Sequence, residues 1–144
     1  MATSAWNKFN DFSEQLVRGV HDFDANTFKV VLTNSAPTAA NTVLTDITQI
    51  ANGGGYTTGG ATTTISISET SGTTTVSGTE IVWTGTGSGF GPFRYAVLYN
   101  DSSTSPADAL IAWFDYGSAI SVSAGETFTL RFSTTSPGAM FTLA

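Results

Sequence analysis

Phe93-Arg-Tyr-Ala-Val-Leu-Tyr99 is a dense apolar run with strand-forming residues, and it stands in a chain otherwise dominated by Thr, Ser and Gly with very few charges. That contrast decides the fold class. Outward from it, Leu110 to Tyr116 and Glu126 to Ser133 read as further strands, the latter with Phe128, Leu130 and Phe132 on one face and Thr127, Thr129 and Arg131 on the other. Thr27 to Thr33 reads as a strand buried on much of both faces, ending at Asn34-Ser-Ala-Pro37. Thr64 to Ser68 and Thr79 to Thr84 resume the period-two alternation, while Thr42 to Ile50 is ambiguous.

About seven or eight short strands joined by turn-rich segments predict an all-β fold, a β-sandwich or jelly-roll-like barrel. The 41 Thr and Ser residues are punctuated by apolar ones at strand period, so they belong to strands and not to a low-complexity tract. No composition break divides the 144 residues, which predicts a single β domain over 1–144. A chain of this length buries roughly 70% of its unfolded surface. Ten Phe and 40% hydrophobic residues can fill such a core without cross-links, and with no Cys there are neither disulfides nor thiolate metal sites.

One helical pattern stands apart. Trp6, Phe9, Phe12, Leu16, Val17 and Val20 recur at spacings of three and four, which predicts a short amphipathic helix within an N-terminal segment 1–20, capped by Ser4 and closed by Gly19. Such a helix either packs on its own domain or settles in a partner's groove. Gly53-Gly-Gly-Tyr-Thr-Thr-Gly-Gly60 predicts a flexible loop, because repeated Gly permits backbone angles closed to other residues.

A net charge of −6 and only five scattered basic residues, Lys8, Arg18, Lys29, Arg94 and Arg131, argue against nucleic-acid binding. No apolar run approaches the roughly 20 residues that span a bilayer, and Met1 to Trp6 lacks the parts of a signal peptide. The expectation is a soluble product made in the cytoplasm, with no membrane partner.

The chemistry-bearing residues form no strong motif. Gly53 to Gly60 has no Lys-Ser/Thr pair opening a helix, so it is not a phosphate loop. Asp22-Phe-Asp-Ala-Asn26 spaces two carboxylates and an amide as calcium loops do, but lacks the Gly and Glu that complete them. His21 has no nucleophile in a recognisable setting. Asp115 and Glu80 are candidates for a glycosidase acid pair only if the fold brings them together. Trp83, Trp113 and Tyr116 fit either a sugar-stacking platform or a core, and Asn100-Asp-Ser102 matches a glycosylation acceptor at chance level. The expectation is no catalytic residue, no metal and no cofactor.

Four blocks together resemble a family of small tailed-bacteriophage virion proteins. They are an aromatic helix followed by Asp22-Phe-Asp-Ala-Asn-Thr-Phe-Lys-Val-Val-Leu-Thr-Asn-Ser-Ala-Pro37, then Thr45 to Gly60, then Phe93-Arg-Tyr-Ala-Val-Leu-Tyr-Asn-Asp101, then Leu110-Ile-Ala-Trp-Phe-Asp-Tyr-Gly117. Their order and spacing span roughly Trp6 to Phe132. The resemblance implies a structural protein on the virion, most readily a capsid decoration (cement) protein with the major capsid protein as partner, and it carries no catalytic residues.

Multivalent attachment to a shell favours a homo-oligomer, and a trimer is expected. The expected docking residues are Trp6, Phe9 and Phe12 on the helix and Gly53, Gly54, Gly55 and Tyr56 in the loop. Removal of residues before Val20 is then expected to abolish attachment and leave the β domain folded. The competing expectation is a receptor- or glycan-binding module of a phage tail or head fibre. A depolymerase ranks below both.

Overall fold

A computed structural model describes residues 2–144; Met1, the first residue of the expected 1–20 segment, lies outside them. The chain is all-β, with several antiparallel sheets and one short α-helix. Among the described residues, ten strands run in chain order as β1 (Asn7–Lys8), β2 (Phe28–Thr33), β3 (Ala61–Thr63), β4 (Ile65–Thr70), β5 (Thr73–Gly78), β6 (Ile81–Thr84), β7 (Phe90–Asn100), β8 (Leu110–Val122), β9 (Thr127–Leu130) and β10 (Gly138–Leu143). A five-stranded sheet has the order β1-β8-β7-β2-β3, a three-stranded sheet β10-β5-β4, and a two-stranded sheet β6-β9.

The central strands read as continuous apolar runs because their sheet is covered on both faces. Val30 pairs with Leu98 and Leu32 with Ala96, and these face the larger core. Val31 pairs with Val97, and both face a second apolar layer with Phe9, Ile47, Tyr99 and Leu110. A 3-10 turn at Leu44–Asp46 helps to cover that second layer. In the larger core, Val76 of β5, Met140 of β10, and Ile81 and Trp83 of β6 pack with the five-stranded sheet, so the two small sheets oppose it in a sandwich-like arrangement.

The N-terminal helix is much shorter than its apolar spacing implies. Only α1 (Phe12–Val17) is helical, whereas Asn7 and Lys8 pair with Trp113 and Ala112 at the edge of β8. Trp6 and Phe12 pack against the larger core and Phe9 in the second layer, so the spacing of three records a strand and turn that straddle a sheet edge. Ser4 caps no helix; its Oγ accepts from Asp115 N–H at 2.8 Å. Gly19 does close α1. It adopts φ +79°, and the bonds Val20 N–H to Gln15 O and Gly19 N–H to Leu16 O make a Schellman end. Val17, counted in the apolar stripe, is 88% exposed.

The glycine-rich segment is packed against the body of the fold. A Cβ on Gly54 would lie 1.7 Å from Gly89 O, and one on Gly60 would lie 1.9 Å from Val30 O, so backbone passes backbone where only Gly fits. Tyr56 is buried, its hydroxyl donating to Gln49 Oε1 at 2.8 Å and accepting from Leu32 N–H at 3.3 Å. Gln49 Oε1 also accepts from Gly59 N–H, and Tyr99 OH donates to Gly59 O at 2.7 Å.

Candidate functional site

Strands β8 and β9 follow each other through the turn at Ser123 to Glu126, yet they do not pair. β8 bonds to β7 and β1, and β9 bonds only to β6. Beside these unpaired strands lies a cleft of about 570 Å³, lined by parts of β7, β8 and β9 and by Ala2 to Ser4. This is in the size range of small-ligand sites.

The cleft wall on β8 is shaped by a break in the β7–β8 ladder. Pairing jumps from Phe93 with Ile120 to Tyr95 with Asp115, so the four residues 116–119 stand opposite Arg94 alone. Such bulges re-aim side chains and terminate regular pairing. Gly117, at φ +98°, takes the turn, and its N–H donates to Asp115 Oδ1 at 2.8 Å. Tyr116 is left 40% exposed, its ring 6.1 Å from that of Phe128 and at 67° to it. Phe128 in turn leans on Phe93 and Trp83, whose burial fixes the floor.

Beside this aromatic surface, Arg94 grips Asp115 with two bonds, Nε to Oδ1 at 2.8 Å and Nη2 to Oδ2 at 3.0 Å. The bidentate guanidinium, then the Gly117 N–H, hold the Asp115 carboxyl below the usual carboxylate range. Asp115 is thus an ionised acceptor and not a proton donor. Arg131, also on the cleft, is paired with Glu80. The two carboxylates weighed as an acid pair are each committed to an arginine.

A second polar cluster is buried. His21 is 4% exposed between Phe12 and Phe23, with Nδ1 3.3 Å from Asn100 Nδ2 and no partner at Nε2. Asn100, itself fully buried, also reaches Val20 O at 3.2 Å and Asn26 Oδ1 at 2.8 Å. Burial pushes the His21 imidazole down to about 4, against a smaller opposing pull from Asp11. Asp22 Oδ1 accepts from Asp24 and Ala25 N–H, so this carboxylate closes a turn. Among the described residues, no three His, Cys, Asp or Glu come together as a metal cluster, and no helix is long and apolar enough to cross a membrane.

No family model, curated protein or solved structure matches the chain.

The three aromatic residues expected to dock are not openly exposed. Phe9 and Phe12 are core residues, Trp6 is half-buried against Phe114 and Phe141, and Phe9 packs on Trp113 with centroids 4.7 Å apart. Gly53 and Gly55 are exposed, but Gly54 and Tyr56 are anchored inward as described. Of the three residues weighed as a sugar platform, Trp83 is core, Trp113 is half-buried in the second layer, and Tyr116 alone is exposed at the cleft. Asn100 has its amide in the buried network and presents no glycosylation acceptor.

Sequence reasoning missed the cleft because it arises from two neighbouring strands joining different sheets. It also missed an apolar overhang on the three-stranded sheet. Ile67, Val76 and Phe141 form one cross-sheet row on the core face; Val76 is buried, while Ile67 at the β4 edge is 46% exposed and Leu143, two residues beyond Phe141, is 50% exposed.

Proposed function

We propose that the chain is a structural protein of a tailed-bacteriophage virion, a decoration (cement) protein that binds the major capsid protein on the outer shell and acts there as a trimer. The observation that carries this reading is where the resembling blocks fall. Asp22 to Pro37 contains β2, Thr45 to Gly60 the packed glycine segment, Phe93 to Asp101 most of β7, and Leu110 to Gly117 the first half of β8. Blocks far apart in sequence make one contiguous framework, the central strands of the five-stranded sheet and the segment laid on it. A likeness spread over a framework favours kinship of fold more than coincidence in a loop.

The physical properties favour the same role. A chain with net charge −6 repels its own copies before assembly, and repeated weak contacts on a lattice gain avidity of about 10²-fold or more. With the N-terminal rings buried, the overhang at Ile67 and Leu143 is the surface assigned to the shell. Shells assembled without the chain, mixed with purified protein, test this. Wild type is expected to sediment with the shells, and Ile67→Glu, altering a half-exposed side chain, is expected to stay folded and remain in the supernatant. Retention of the variant on the shells removes the overhang from the account, and failure of the wild type to sediment removes the cement role.

A further inference from the structure

We infer that the cleft between β8 and β9 is a binding site for a neutral saccharide, one or two sugar rings in size. The inference is independent of how the protein attaches to a shell.

Sugar rings present two kinds of surface. Their C–H faces pack on exposed aromatic rings, and their vicinal hydroxyls need donors and acceptors held side by side. The cleft offers both within one opening of about 570 Å³. Tyr116 projects from the bulged stretch of β8 with 40% of its surface free, backed by Phe128. An aromatic ring left exposed on top of a rigid aromatic floor is a preformed stacking surface with little ordering cost. The Arg94–Asp115 pair lines the same cleft. Nε and Nη2 of Arg94 are committed to Asp115, so the guanidinium still presents Nη1 donors beside the acceptor oxygens of a fixed carboxylate. The arrangement matches adjacent hydroxyl groups.

Charge selects within the saccharides. Two of the chain's five cations, Arg94 and Arg131, line the cleft, but each is neutralised by a carboxylate. An acidic sugar therefore meets no free positive charge. An extended peptide is the weaker fit, because the bulge over 116–119 interrupts the β8 edge to which a strand would bond.

The test is saturation-transfer NMR on the full chain with millimolar glucose, galactose, mannose and N-acetylglucosamine as probes, alongside glucuronic acid and a neutral hexapeptide. The expected result is transfer to the ring protons of at least one neutral sugar. Tyr116→Ala is expected to weaken that binding about tenfold or more while the melting curve is preserved, and Tyr116→Phe, which keeps the ring face, is expected to retain it. Absence of transfer to every neutral sugar overturns the inference. So does transfer that Tyr116→Ala leaves unchanged, or stronger transfer to glucuronic acid or to the peptide.

Discussion

Replacing His21 with Phe isolates the one buried titratable imidazole of the chain. In the folded protein burial holds His21 near 4 against an ordinary value of 6.5, so its neutral form is favoured by the fold. The unfolded chain then binds a proton that the folded chain refuses throughout the interval between these values. Stability is fully present above pH 6.5 and falls as the pH drops towards 4. At about 1.4 kcal/mol for each pKa unit, the loss from this residue by pH 4 is about 3 kcal/mol. Phe at position 21 would sit between Phe12 and Phe23 with no proton to take up and no unpartnered Nε2. It gives up only the 3.3 Å contact to Asn100, whose amide keeps Val20 O and Asn26 Oδ1. Urea denaturation of both proteins across this pH window measures the difference, in which the carboxylates common to both largely cancel. The expected outcome is a variant whose stability falls by about 3 kcal/mol less than the parent's. Equal losses in the two proteins refute the assignment of acid sensitivity to His21.

Two further substitutions separate the packed framework from the surface. Phe9→Ala removes a fully buried ring from the second layer and is expected to cost about 3–5 kcal/mol in denaturant unfolding; a cost below about 1 kcal/mol contradicts its place in the core. Gly54→Ala drives a Cβ into Gly89 O, whereas Gly87→Ala, at φ +57° beside the +64° of Gly54, meets no atom within 4 Å. The first is expected to lower the thermal midpoint more than the second, with a loss above about 1 kcal/mol, and equal losses would show that the segment moves aside freely.

The all-β class was legible because Val30, Val31 and Leu32, like Ala96, Val97 and Leu98, form apolar runs that a sheet covered on both faces requires. The strands at β5 and β10 were not, since Thr73-Thr-Thr-Val76 and Gly138-Ala-Met140 acquire their pattern only from the partners opposite them. The N-terminal helix was overread for a definite reason. Trp6, Phe9 and Phe12 have helical spacing, but β1 places Phe9 in one layer and its two neighbours in the other. Glycine clustering announced a loop correctly, while its cause was close backbone approach at Gly54 and Gly60 and not mobility. Asp115 and Tyr116 were visible as candidates, but their meeting with Arg94 and Phe128 depends on a ladder break that no local pattern encodes.

The proposed cement role is most directly tested by counting copies of the chain in purified particles of a tailed phage that carries its gene, by quantitative mass spectrometry against the major capsid protein. The account predicts a lattice stoichiometry, near one copy per shell subunit or one per few subunits. A handful of copies per particle would contradict the cement role and point to a tail or vertex, and absence from the particle would contradict a structural role in the virion altogether.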